Sequence, residues 1–167
     1  MGNKIHLRAV EPEDVDFIYD CESDPDNARW SDYRAPFSKS QLMTYALTYD
    51  ADPFSAGELR LIIEDEEKNR IGIIDLYDIS HNDLKAFVGI CIHPQYREKG
   101  YGSEALKELD KLATERLGLR KIAAKVSAMN APALDFFKKS GYLQTAVLPE
   151  WHKIGSQYHD IILLVKN

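Results

Sequence analysis

Between Ile90 and Gly102 the chain reads I-C-I-H-P-Q-Y-R-E-K-G-Y-G, an apolar strand, a proline stop and a basic loop whose glycines stand where a helix must begin. The helix follows at once from Ser103, with Leu106, Leu109 and Leu112 spaced for one apolar face. Gly100 and Gly102 let successive backbone N–H groups turn toward one point, and the positive end of the helix dipole adds to them. That makes a pocket for phosphate oxygens. No Gly-Lys-Ser/Thr follows, so the loop is not built for a nucleoside triphosphate, and the three-glycine dinucleotide fingerprint is absent as well. A glycine pair ahead of a helix is also ordinary turn chemistry; the order strand, break, loop, helix favours the phosphate reading here.

Composition fits a soluble enzyme of one domain, residues 1–167. The 167 residues suffice to bury a real core, and an apolar content of 44% is ordinary for a globular protein. No apolar run approaches the roughly 20 residues that cross a bilayer, and Met1 to His6 leads straight into an alternating segment. No membrane partner and a cytoplasmic location are therefore expected. Cys21 and Cys91 lie far apart without metal-ligand spacing, so they read as reduced thiols and no metal is expected. The net charge of −6 argues against a nucleic-acid partner and points toward a cationic one. Arg97-Glu98-Lys99 and Lys138-Lys139 are positive islands in that acidic background, with solvated surface as their plain reading.

Strands and helices alternate along the chain without repeats. Asn3 to Ala9 reads as a strand, Glu11-Pro12-Glu13-Asp14 as a helix start, and Ser38 as the cap of a helix over Lys39 to Tyr49. Asp24 to Phe37 holds Pro25, Trp30, Tyr33, Pro36 and Phe37, an aromatic-rich loop suited to a lid or substrate wall. Leu59 to Ile63 and Ile71 to Ile79 form a hairpin around the turn Asp65 to Asn69, and Lys85 to Ile92 delivers the chain into the glycine loop. The next helix runs to about Leu117 with Gly118 as its C-cap. A strand at Lys121 to Ser127, a helix at Asn130 to Lys139, and closing strands at Tyr142 to Pro149 and Gln157 to Val165 complete the order. That order implies a mixed sheet with helices on its faces.

R-x-x-G-x-G, here Arg97, Gly100 and Gly102, resembles the pyrophosphate loop of the GNAT acyltransferases, which hold acetyl-coenzyme A. Glu104-Ala105 just inside the following helix matches too, as does the N-x-x-A…G-F/Y arrangement of Asn130, Ala133, Gly141 and Tyr142. The likeness spans about Ile71 to Val165; the front third resembles the family only in element order, Leu7-Arg8 and an acidic first helix. The hairpin Trp151…Gly155-Ser156-Gln157-Tyr158 is most similar to the branch of ribosomal-protein and spermidine N-acetyltransferases. The resemblance implies an α+β fold, a central mixed, mostly antiparallel twisted sheet flanked by helices. It also implies direct acetyl transfer from acetyl-CoA to a primary amine, either a small amine or polyamine or a protein N-terminus, by a monomer or homodimer. By the same resemblance Arg97, Glu98, Lys99, Gly100, Tyr101 and Gly102 enclose the pyrophosphate, Asn130 and Phe137 flank the cofactor, and Ile90, Cys91 and Ile92 lie beside the acetyl group.

The amine must be neutral to attack, yet a free alkylamine with a pKa near 10.4 is protonated at neutral pH. The oxyanion needs a fixed donor, which the resemblance places on the backbone of the strand entering the loop. The family's general acid is a tyrosine four residues before the helix-ending glycine, and Phe137 stands at that position. Tyr158 is the first candidate to replace it, a half-buried strand tyrosine being the plain alternative; a thiolate with a free pKa near 8.5 also leaves tolerably unaided. Loss of the acid also admits a non-catalytic module that binds coenzyme A or acyl-CoA. Asp75 and Asp78 are candidates to steer a cation or accept its proton, and strand alternation sends them to opposite faces. His81 and His93 titrate in a useful range. The Cys91 thiol reads as a small core residue, because direct transfer needs no acyl-enzyme.

Overall fold

The Ile-, Leu- and Val-rich runs form a seven-stranded sheet in the computed structural model, which describes residues 2–31, 37–49 and 52–166. The elements are β1 (Ile5–Ala9), α1 (Val15–Ser23), α2 (Pro25–Ala28), α3 (Lys39–Thr48), α4 (Pro53–Ala56), β2 (Leu59–Asp65), β3 (Arg70–Ser80) and β4 (Lys85–Ile92). After the glycine loop come α5 (Tyr101–Lys111), β5 (Lys121–Ser127), α6 (Ala131–Lys139), β6 (Leu143–Ile154) and β7 (Gln157–Lys166). Sheet order is β1-β2-β3-β4-β5-β7-β6, with β4 and β5 parallel and the other neighbours antiparallel. This is the mixed, mostly antiparallel sheet that the element order implies. Tyr33 and Pro36 of the expected aromatic loop lie outside the described residues.

Two apolar layers cover the sheet. On one face Ile74, Leu76 and Val88 pack with Leu106 and Leu109 of α5 and Phe137 of α6. On the other, Ile62 and Ile73 pack with Ile18 and Cys21 of α1 and Leu42 of α3. A buried ion network fixes the start of α1. Asp14, 1% exposed, accepts both arms of Arg8 at 2.8 Å, Nε of Arg70 at 2.6 Å and the Glu11 N–H at 2.8 Å. Burial alone would raise its pKa, but the two arginines and that N–H bring it from 3.8 down to about 2.

Three local departures from the expected elements have backbone causes. The helix after the loop is regular only to Lys111; Leu112–Arg116 widen into a π turn before Gly118, whose φ of +68° ends the element. β6 runs past Pro149 to Ile154, with register shifts between Gln144 and Ala146 and between Leu148 and His152, the irregularity that an edge strand tolerates around a proline. In β3, Asp78 adopts φ +49° where the register to β4 shifts between Tyr77 and Ser80. Ile79 therefore takes the buried core position that alternation assigns to Asp78.

Candidate active site

An opening through the sheet organises the site. β4 and β5 pair only from Lys85 to Phe87 against Lys121 to Ala123, and beyond that the two parallel strands separate. The backbone shows which groups face the opening. His93 N–H donates to the Ile71 carbonyl at 2.9 Å, and Cys91 stands opposite Ile73, so the odd-numbered residues of this stretch hydrogen-bond to β3. The N–H and C=O groups of Ile90 and Ile92 and the C=O of Val88 point the other way, into the opening, while the Val88 N–H is taken up by the last bridge to β5, where Phe87 stands opposite Ala123. The Ile92 carbonyl accepts Nε of Arg97 at 3.1 Å. The remaining groups form a short unpaired strand edge, able to take an extended amide-bearing chain as an added strand.

At the end of β4 the expected phosphate loop takes shape. Glu98 and Gly100 adopt φ +59° and +86°, and Gly100 is the N-cap of α5 without a side-chain cap bond. The first N–H groups of α5 thus remain available at its positive end. Arg97, Glu98, Gly100, Tyr101 and Gly102 line the cavity. Two expected phosphate ligands are otherwise engaged. The Arg97 guanidinium meets Asp24 at 2.8 Å and Asp26 at 3.6 Å, tying the loop to the α1–α2 corner. Lys99 Nζ donates to the Gln95 carbonyl at 2.9 Å, and its side chain does not line the cavity. Asn130 caps α6 by accepting the Ala133 N–H at 3.2 Å and also faces the cavity. Phe137 lines it too, packed edge-on against Phe136 and Tyr142 at 5.1 and 5.2 Å between ring centroids.

The cavity, about 1890 Å³, passes through the opening and reaches both faces of the sheet, enough for two substrates meeting at the splayed strands. Its lining also carries Glu22, Glu58, Asp75 and Asp78, besides Asp26, which meets Arg97 at the loop. Asp75 and Asp78 therefore share one cavity. Their expected placement on opposite faces fails because the β3 irregularity breaks the alternation. Asp75 is gripped by Arg60 at 3.0 Å, and Arg60 also meets Glu22 at 2.7 Å. Burial raises the Asp75 pKa and Arg60 opposes that rise.

Other expected residues lie elsewhere. The Cys91 thiol faces the α1 layer, with Sγ 3.0 Å from Sγ of Cys21, and the Cys21 contact together with burial pushes it well above the ordinary thiol range. Its N–H points toward β3, so neither Cys91 group serves the opening; Ile90 and the Val88 carbonyl supply the unpaired backbone instead. Tyr158 is 59% exposed and does not line the cavity, which corrects its reading as the substitute acid. His93 stacks on Phe17 and lies edge-on to Tyr96, and His81 lies edge-on to Phe54; neither reaches the cavity. Residues that sequence reasoning passes over stand there instead, Glu22, Arg60, Lys125 and His152, together with Trp151 of the hairpin. Their signal is weak, because each looks like surface until distant segments pair.

Comparison with known proteins places this geometry. The chain is 25% identical over 162 residues to spermidine N(1)-acetyltransferase of Vibrio cholerae, covering 96% of this chain and 91% of that protein. It is 27% identical over 165 residues to the Escherichia coli enzyme of that name, covering 96% and 84%. The structure of spermidine N-acetyltransferase from Vibrio cholerae in complex with CoA and spermine superposes with a TM-score of 0.86 at 24% identity, over 97% of this chain and 94% of that one. The acetyltransferase (GNAT) domain model matches residues 4–143, a span that encloses the splayed strands, the glycine loop and both helices beside it. The sequence motif, the open strand edge and the family match thus converge on the same residues, and this chain belongs to the GNAT acetyltransferases as an acetyl-CoA-dependent N-acetyltransferase.

Proposed function

We propose that the acceptor is a cationic alkylamine of the polyamine kind, entering from the α1 side of the sheet. The observation that carries this reading is the acidic lining of the cavity, where Glu22, Glu58, Asp75 and Asp78 stand and Arg60 is already neutralised by two of them. Similarity to enzymes named for spermidine supports the same class. Acetyl-CoA, when bound, supplies an activated acyl group to a neutral amine. The chain's part is to hold its pyrophosphate at the head of α5, to offer the unpaired N–H group of Ile90 to an oxygen at the opening, and to draw a proton from the amine. Asp75, the carboxylate beside the opening with a raised affinity for protons, takes that proton directly or through water.

Release of free thiol from acetyl-CoA over a panel of amines tests this. Spermidine-like amines are expected to lead the panel, with kcat/KM falling as salt rises because screening weakens the attraction of opposite charges. Equal rates for cationic and neutral-tailed amines, independent of salt, would remove the reading.

A further inference from the structure

A row of charge crosses the acceptor face of the sheet. Arg60, Asp75 and Gly89 stand side by side on β2, β3 and β4. Nε and Nη2 of Arg60 donate to the two oxygens of Asp75 at 3.0 and 3.2 Å, and Nη1 meets Oε1 of Glu22, on α1, at 2.7 Å. Two carboxylates share one guanidinium, so the row keeps an excess of negative charge. The other oxygen of Glu22, Oε2, is shut off from solvent and has no hydrogen-bond partner among the described residues. The hydroxyl of Tyr45 on α3 is likewise buried and unpartnered, in the field of Glu58, Arg60 and Asp75. Buried carboxylate oxygens ordinarily find donors. One left without a donor on a residue that lines a substrate cavity is a place for an N–H that arrives with the substrate and turns the carboxylate toward it.

The opposite end of the row has the opposite sign. Gly89 contributes no side chain, which leaves a slot beside Asp75; a β-carbon there would stand 4.0 Å from Oδ2. Across the opening, Lys125 of β5 holds Nζ 4.5 Å from the Phe87 ring centroid and 5.3 Å from that of Tyr77, and no ion pair is recorded for it among the described residues. An ammonium beside Lys125 is disfavoured, so an amine there loses its proton more readily. One beside Glu22 keeps its charge.

We propose that Glu22 is a specificity-determining residue that holds a second, non-reacting ammonium of the acceptor through Oε2, while the reacting amine occupies the Gly89 slot on the Lys125 side. The inference rests on the cationic-acceptor reading above and adds that two amines, rather than one, are recognised. Arg60 serves as the positioning residue that keeps Glu22 turned into the cavity.

The test compares 1,4-diaminobutane with n-pentylamine, chains of equal length in which one ammonium is replaced by a methyl. Affinity is measured by calorimetry on the coenzyme A complex, and kcat and KM by thiol release. The wild-type protein is expected to prefer the diamine at least tenfold. Glu22→Gln should cut that preference about tenfold, through the diamine's Kd and KM more than through its kcat, while loss of the ion pair to Arg60 lowers the melting temperature for reasons that do not depend on the amine. Glu22→Asp keeps the charge but retracts it and should lie between; it decides the matter if Glu22→Gln does not fold. An unchanged preference in a folded variant overturns the role of Glu22 and leaves the polyamine reading standing. A wild-type protein that shows no preference for the diamine overturns both.

Discussion

Substitutions at the two glycines of the phosphate loop separate the backbone account of cofactor binding from a side-chain account. Gly100 has φ +86° and ψ −2°, and a β-carbon there would meet only Asn3 Nδ2 at 3.5 Å, so conformation rather than space is its constraint. An L-residue pays roughly 1–2 kcal/mol for that left-handed state. Gly100→Ala therefore either holds the strain or relaxes, and relaxation turns the first N–H groups of α5 away from their common point. Gly102 is constrained the other way. A β-carbon there would lie 3.3 Å from Cε2 of Phe136 and 3.7 Å from Cδ1 of Ile90, so it points into the apolar wall and away from the loop mouth. Alanine needs the Phe136 ring to yield by a few tenths of an ångström; the branches of valine drive both walls into the cavity. Gly100→Ala and Gly102→Val should each weaken coenzyme A binding at least tenfold, about 1.4 kcal/mol, while Gly102→Ala stays near wild type. Arg97→Ala should cost no more than about threefold, because its guanidinium serves Asp24 and the Ile92 carbonyl. Titration calorimetry on variants whose circular dichroism is native reads these numbers. Wild-type affinity in Gly100→Ala and Gly102→Val together would refute the loop assignment, and a loss in Arg97→Ala equal to that in Gly100→Ala would move the contact to the side chain.

Tyr158→Phe should leave kcat unchanged, since the phenol stands outside the cavity, whereas Phe137→Tyr puts a hydroxyl on a ring that lines it and should raise kcat by less than about 10²-fold; a large loss in Tyr158→Phe would restore that residue as the acid. Cys91 should resist iodoacetamide at pH 8 in the native protein and react on unfolding, because burial and the Cys21 contact disfavour its thiolate; rapid native alkylation would contradict this. Asp14 has a folded pKa of about 2 against an ordinary 3.8, a difference of about 2.5 kcal/mol in stability that is fully present above pH 4 and lost as pH falls toward 2. Asp14→Asn should lower the melting temperature at pH 7, and the gap to wild type should close between pH 4 and pH 2; a gap constant across that window would show that the ionised carboxylate is not the source.

Most of the fold can be read from the chain because its determinants are local. β4 and β5 start and stop where the apolar runs do, Ser38 and Asn130 cap the helices that follow them, and Gly118 ends the element before β5. The misses are places where a single residue changes phase. Alternation along β3 holds as far as Tyr77 and then loses a position at Asp78, a positive-φ aspartate that composition cannot distinguish from an ordinary one. The same slip affects only Asp78, which then lines the cavity that Asp75 already lines.

The two halves of the site differ in how far apart their parts lie in sequence. Cofactor binding needs an unpaired strand edge and a free helix start, and residues 88–103 supply both in one stretch, so its motif survives as a readable string. The proposed acceptor recognition depends on Glu22 meeting Arg60, on Arg60 standing opposite Asp75 and on Lys125 facing Phe87 across the opening. Each pairing is fixed by helix docking or strand register, and none leaves a spacing in the chain. A carboxylate at position 22 looks like the exposed face of an amphipathic helix until α1 settles on the sheet and buries one of its oxygens. Substrate choice can therefore diverge among proteins that share this loop without disturbing the motif that identifies them.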